Sequence, residues 1–361
     1  VVVKENCDTA GLACPAGLAF RKDHRPAIDS WITARLRAAG AVILGTAISD
    51  PGAFGVRTAE VTHPADASLT VGGSSGGSAA ALSAGLCLGA IGTDTGGSIR
   101  IPSACCGTVG LKPTFGALPM QGIFPLVPSL DHVGPMARDV ADTALLWEGL
   151  TGQPPASARR MASLGVDPVW LAEADPPIRD GIAELLMRLR AEGVDVREVR
   201  LPALDDLGRM HGQIFFAESA AWHLAHHPEN RARYPKIAQD WFDLALKMPV
   251  ADYVEACRAR ELARRQVEAV LQQVDVILTP TLSVWRPVRD AAELRLSGQP
   301  MDYVLALVRQ TCLYDHTGHP ALAMPIAGRA PGMGEGMQLV GAAGGEANLL
   351  GFGLWLQGLP L

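Results

Sequence analysis

Aromatic residues are scarce in this chain, at 5% of 361 positions, and charged residues stop at 19%. Neither sign of charge gathers into a block, and the formal net charge is −6. Proteins that neutralise phosphates need a concentrated cationic face, so nucleic acid is not an expected partner. No apolar run reaches the roughly 20 residues a membrane-spanning helix requires. The longest candidate, residues 79–90, is too short and sits beside polar loops, so no membrane association is expected. No secretory leader pattern is visible. Cysteines number seven, an odd count for a disulfide framework, and no CxxC pair or Cys/His ligand spacing occurs. Cys105 and Cys106 lie together in an apolar segment and read as buried thiols. No metal or organic cofactor is expected, and a reducing cytoplasm is the expected compartment.

What the chain does have is apolar residues (48%), 39 glycines and 26 prolines, a composition suited to many short elements joined by tight loops. A β-branched run at 1–3 delivers Lys4 at its end. Helical spacing at 30–39 has Asp29 or Ser30 as its cap and Gly40 as its stop. A buried strand is expected at 41–44, a small-residue helix at 78–84, a strand at 88–92 and an amphipathic helix at 139–151. Charge rises over 154–204, which marks a candidate peripheral insertion with strands near 161–164 and 196–201 around a helix at 178–192. Beyond it, helices are expected at 204–226, 241–246, 250–273, 301–313 and 346–357, and strands at 274–278, 321–326 and 337–340. Strands and helices mix throughout, so the fold class is α/β.

Two loops stand out. Gly72-Gly73-Ser74-Ser75-Gly76-Gly77-Ser78 follows a short β-prone run and opens a helix. Gly92-Thr93-Asp94-Thr95-Gly96-Gly97-Ser98 repeats the pattern. Glycines let the backbone approach a substrate closely, and a helix start offers free N–H groups and a positive dipole end. Consecutive unhindered amides before a serine suit an oxyanion hole. A P-loop would need a lysine after Gly77, and a dinucleotide site would need GxGxxG; both are absent. Gly72-Gly73-Ser74-Ser75-Gly76 does fit the GxSxG elbow of α/β-hydrolases, with His316 or His319 as a later histidine, although no HGGG-type segment accompanies it.

These loops, continued by Ile99-Arg100-Ile101-Pro102 and Gly110-Leu111-Lys112-Pro113-Thr114, resemble the defining segment of the amidase signature family. Val3-Lys4-Glu5-Asn6, Ser129 to Pro135, Leu278-Thr279-Pro280-Thr281 and Thr317-Gly318-His319-Pro320-Ala321 extend the resemblance over nearly the whole chain. It implies one compact domain over 1–361 with a mixed, twisted central sheet covered by helices on both faces. It implies a Ser–cis-Ser–Lys triad in which Ser98 is the nucleophile, Ser74 the proton relay after a cis bond to Gly73, and Lys4 the base. The amides of Thr95, Gly96, Gly97 and Ser98 would form the oxyanion hole, and Gly72, Gly73 and Ser75 would contact substrate. The implied partner is a small-molecule amide, hydrolysed through an acyl-Ser98 intermediate, with room for a homodimer. Amidotransferase A-type subunits, ureido hydrolases and a catalytically silent scaffold are the alternatives.

The chemistry has its own logic. Serine needs a base, and lysine can be one only when burial lowers its pKa. Other residues have structural expectations. Ser75 and Ser78 read as loop or cap partners, Asp94 and Arg100 as a loop-fixing pair, and Asp131-His132 as hydrogen-bonding rather than reacting groups. His223, His226 and His227 are expected to face solvent, Arg57 to lie at the surface, and Phe215-Phe216 to be core, with lining of an acyl pocket as the alternative. Two departures from the family pattern are a missing N-terminal helical segment and Asp315-His316, where Asn and an apolar residue are more usual.

Overall fold

The computed structural model describes residues 1–326 and 335–359. Its strands are β1 (Val2–Lys4), β2 (Gly45–Ala47), β3 (Gly89–Asp94), β4 (Val109–Lys112), β5 (His132–Ala137), β6 (Ser163–Val166), β7 (Asp195–Glu198), β8 (Val276–Pro280), β9 (Glu293–Leu296), β10 (Gln299–Asp302), β11 (Ala321–Pro325) and β12 (Gly336–Val340). Ten of them form one mixed sheet in the order β2-β1-β3-β5-β4-β11-β12-β8-β6-β7, and β9 and β10 form a separate hairpin. The helices are α1 (Trp31–Ala38), α2 (Gly76–Ser83), α3 (Arg100–Cys106), α4 (Val140–Thr151), α5 (Pro168–Ala172), α6 (Pro176–Ala191), α7 (Leu204–His226), α8 (Lys236–Lys247), α9 (Val250–Leu271), α10 (Tyr303–Val308), α11 (Cys312–Thr317) and α12 (Glu346–Gln357).

Strand alternation builds a core on each face of the sheet. In β3, Ala90 joins one core and Ile91 the other; in β8, Ile277 faces the first while Val276 and Leu278 face the second. Leu82 of α2, Ile101 of α3, Leu207 of α7 and Phe242 of α8 fill the first core. Leu36 of α1, Leu150 of α4, Leu185 of α6 and Phe352 of α12 fill the second. Ser30, one of the two expected caps, does cap α1, whereas Asp139, expected inside the helix, is the cap of α4. Ser30 accepts from Thr33 N at the start of α1, Asp139 accepts from Asp142 N at 2.8 Å, and Gly152 ends α4 in the left-handed conformation.

Some expectations fail. Residues 41–44 are not a buried strand: Val42 and Leu44 are 72% and 60% exposed. The ladder starts at Gly45, on a strand that is the sheet's edge among the described residues, so a β-prone run there finds no layer to bury it. The helix expected over 301–313 is two helices, α10 and α11, broken at Arg309–Thr311. Those three side chains satisfy distant partners, including Glu173, Ser283 and the Gly96 carbonyl. The strands β4 and β5 lie in glycine- and proline-bearing sequence that carried no strand signal. His223 is fully buried, its Nδ1 3.0 Å from the Tyr234 hydroxyl, whereas His226 is exposed. Within 154–204, β6 and β7 continue the central sheet beside β8 at its far edge. Among the described residues no helix is long and apolar enough to cross a membrane.

Candidate active site

The sheet brings the two ends of the sequence pattern together. β1 and β3 run parallel with Val2 opposite Ala90 and Val3 opposite Ile91, so both strands finish at the same sheet edge. Lys4 therefore emerges beside Thr93. Its Nζ lies 2.8 Å from Thr93 Oγ1 and 2.7 Å from Ser74 Oγ, and all three residues are buried. Asn6 steadies Thr93 by donating from Nδ2 to its Oγ1 (3.1 Å), which explains why an asparagine two places after the lysine belongs to the pattern. Glu5 holds the neighbouring loop by accepting from the Ser49 amide at 2.9 Å.

The first loop enters α2 with the Gly73–Ser74 peptide bond cis. Glycine is required at position 73: a Cβ there would lie 2.7 Å from the Arg57 amide nitrogen and overlap the Asp50 carboxylate. Ser75 and Ser78 tie this loop to β3, with Ser75 Oγ donating to Thr93 O (3.2 Å) and Ser78 Oγ to Ile91 O (3.0 Å). Ser75 N–H donates to the Ser98 carbonyl at 3.2 Å, joining the first loop to the second. Gly72, Gly73 and Ser75, the expected substrate contacts, are buried, with Gly72 N–H donating to Thr70 Oγ1 and Ser75 bonded to Thr93, and they do not line the cavity that Ser98 faces.

The second loop is held by a buried ionic knot. Arg100 donates to both Asp94 oxygens (3.0 Å each), to Asp315 Oδ2 (2.7 Å), to Thr311 O and to Gln338 Oε1. Burial raises the Asp94 pKa, but the charge and hydrogen bonds of Arg100 outweigh it and hold this carboxyl well below its usual range. Asp315 is pushed the other way by burial and by Asp94. Asp94 also accepts from Gly97 N–H (2.6 Å) and Ile99 N–H (3.1 Å). Of the four amides expected in the oxyanion hole, Gly97 N–H donates to this carboxylate. Among the described residues the amides of Thr95, Gly96 and Ser98 have no such acceptor. Asp131 is a second loop anchor, accepting from Thr95 Oγ1 (2.7 Å) and from the Leu126 and Val127 amides. His132 donates from Nδ1 to Leu130 O.

Burial lowers Lys4 from 10.5 to about 8, and the nearby carboxylates of Asp50, Asp94 and Asp131 only partly oppose this. Ser98 faces a cavity of about 240 Å³, and its Oγ makes no hydrogen bond within the described residues. Thr95 and Gly96 line the same cavity beside it. The far walls are apolar: Val56, Leu126, Phe215, Phe216, Trp241 and Val308. Phe215 and Phe216, expected as core, are therefore also cavity wall. Arg57 packs its guanidinium over Tyr303 and donates to Arg289 O, away from that wall. Sequence reasoning assigned no role to Thr93, although it sits inside the second loop. It missed His211, whose signal was a histidine between Gly208 and Gly212 on one helix face. Among the described residues no His, Cys, Asp or Glu cluster could hold a metal ion.

The profile of the family described as Amidase matches residues 1–350. AtzE, the 1-carboxybiuret hydrolase subunit of Pseudomonas sp. (strain ADP), is 32% identical over 383 residues, covering 98% of this chain and 82% of that protein. The A-type subunit of glutamyl-tRNA(Gln) amidotransferase from Roseiflexus castenholzii (strain DSM 13941 / HLO8) is 31% identical over 402 residues, covering 97% and 80%. A crystal structure of an amidase superposes with a TM-score of 0.88 at 32% identity, covering 99% of this chain and 83% of that one.

Proposed function

The chain belongs to the amidase family, and from that premise we propose that it cleaves carboxylic amides with Ser98 as nucleophile, Ser74 as relay and Lys4 as base. The observation that carries the reading is the buried contact of Lys4 Nζ with Ser74 Oγ at 2.7 Å, one loop away from a serine that faces a cavity. Neutral Lys4 takes the Ser74 proton while Ser74 takes that of Ser98, and Ser98 Oγ adds to the amide carbonyl. The Thr95, Gly96 and Ser98 amides receive the oxyanion; a single such donor is typically worth about 3 kcal/mol. When the tetrahedral adduct collapses, the proton returns through Ser74 to the departing nitrogen, leaving an ester on Ser98. Water then attacks that ester with Lys4 again as base, and the acid leaves. Apo hydrogen bonds often tighten only with substrate present, which is consistent with a Ser98 hydroxyl free of partners here.

The apolar and aromatic cavity walls favour aryl or branched aliphatic acyl groups over charged ones. Seven unpaired cysteines support a reducing cytoplasm as the working compartment. A fluorophosphonate probe tests the assignment. Covalent label on the Ser98 peptide, lost in Ser98→Ala and weakened in Lys4→Ala, is the expected result. Label on Ser74 would support the hydrolase-elbow reading, and no label on folded protein would point to a silent scaffold.

A further inference from the structure

The cavity beside Ser98 holds one buried polar side chain with no assigned task. His211, on α7, is 8% exposed and lies against the second loop: a Cβ on Gly96 would sit 2.9 Å from its Cε1 and 3.1 Å from its Nε2. Its Nδ1 is 3.0 Å from His316 Nε2. Its Nε2 has no partner among the described residues and borders the cavity. Of the other polar side chains on the wall, Ser98 is the nucleophile assigned above and the rest are occupied or peripheral. Thr95 Oγ1 donates to Asp131, and Asp302 is an exposed rim residue whose carboxylate caps the Leu305 amide.

The pair of imidazoles fixes where the protons are. One proton must lie between His211 Nδ1 and His316 Nε2. If His211 supplied it, His316 would carry its own proton on Nδ1, which is buried with no acceptor. That N–H would also share its surroundings with the Arg260 guanidinium, which binds the His316 carbonyl at 2.9 Å. A buried N–H without an acceptor near a cation is the costlier state. The proton therefore sits on His316 Nε2, which donates to His211 Nδ1, and His211 presents Nε2–H to the cavity. Burial lowers both histidines, His211 to about 4 and His316 well below its ordinary value, so the pair is neutral in the working range.

We propose that His211 is a specificity-determining residue whose Nε2–H reads a neutral hydrogen-bond acceptor on the acyl group, next to the scissile carbonyl, with His316 as the positioning residue that sets its tautomer. The proposal rests on the acyl group occupying this cavity during the amide cleavage assigned above. A neutral acceptor fits better than a carboxylate, because His211 is uncharged and Asp302 guards the rim. Flat acyl groups suit the Phe215, Phe216 and Trp241 walls. The substrate class is thus the heteroaryl carboxamide with an acceptor two bonds from the carbonyl carbon. The Asp315-His316 departure from the family pattern acquires a role: Asp315 secures Arg100, and His316 orients His211.

The test compares benzamide with its near-isostere pyridine-2-carboxamide, reading kcat/KM and also the concentration of each that halves the rate of fluorophosphonate labelling of Ser98. Wild type should favour the pyridine amide by about tenfold or more, the worth of one hydrogen bond at a buried site. His211→Phe should bring the ratio to about one. His316→Leu should lower it without touching the cavity, and His316→Gln, whose amide can still donate to His211 Nδ1, should restore part of it. A wild-type ratio near one, or a ratio unmoved by His211→Phe in folded protein, overturns the proposal. Absence of Ser98 labelling in wild type would instead sink the amidase assignment beneath it.

Discussion

Replacing Lys4 with methionine removes the amine and keeps the volume. At pH 7.5 a lysine of pKa about 8 is about 24% neutral, against about 0.1% at the unshifted 10.5, so burial supplies most of the usable base. General-base catalysis typically contributes about 100- to 10,000-fold, and kcat/KM should fall within that range. Wild-type kcat/KM should rise about tenfold per pH unit below the apparent pKa near 8 and level off above it, because the neutral amine is the active form. In Lys4→Met that limb should vanish.

Stability separates this from unfolding. Lys4 is fully buried, and its folded pKa lies below its unfolded one, so its presence penalises the native state. The penalty, about 3 kcal/mol, is fully present below pH 8, shrinks between 8 and 10.5 and is gone above. Losing the bond to Ser74 costs only about 1 kcal/mol, and Thr93 keeps Asn6. The variant should melt no lower than wild type at pH 7, with its advantage fading towards pH 10. Activity within tenfold of wild type with an unchanged pH limb, or a melting temperature that collapses at pH 7, would refute this reasoning.

Arg100→Met should lower stability by about 3–5 kcal/mol in chemical denaturation, since it leaves the buried Asp94 and Asp315 carboxyls without their cation; a loss under 1 kcal/mol would mean that the knot is not what fixes the loop. Gly97→Ala should cut kcat at least about 100-fold, because φ is +133° there and a Cβ would meet Ile101 Cδ1 at 2.7 Å and the Thr311 side chain, displacing Ser98. Near-normal turnover in that variant would show that the loop tolerates the shift. Trp241→Ala opens the cavity wall and should raise KM for aryl amides about tenfold with little change for acetamide-sized substrates, measured by ammonia release.

The parts of this fold that sequence revealed are those encoded locally. The cap at Ser30 and the two loops around Ser74 and Ser98 depend on residue types at fixed offsets. The break between α10 and α11 does not: an apolar helical period runs through it, and only the distant partners of Arg309, Gln310 and Thr311 end the helix there. His223 reads as solvent-facing because it lies near the end of a helical stretch, yet Phe54, Phe124 and Phe242 from other segments close over it. The bond from Gly97 N–H to Asp94 is likewise a product of the folded loop rather than of any residue pattern. His211 had only its place between Gly208 and Gly212 as a local signal, since its meaning comes from His316, 105 positions away.

The central claim is that the acyl group passes through an ester on Ser98. Acid-quenching the enzyme during turnover of an aryl amide, then mapping the digest by mass spectrometry, reads that ester directly. The account predicts the acyl mass on the peptide that contains Ser98, formed at a rate that rises with pH through about 8 and absent in Ser98→Ala. Steady turnover of the wild type with no acyl mass on Ser98, or with that mass on Ser74, would contradict it.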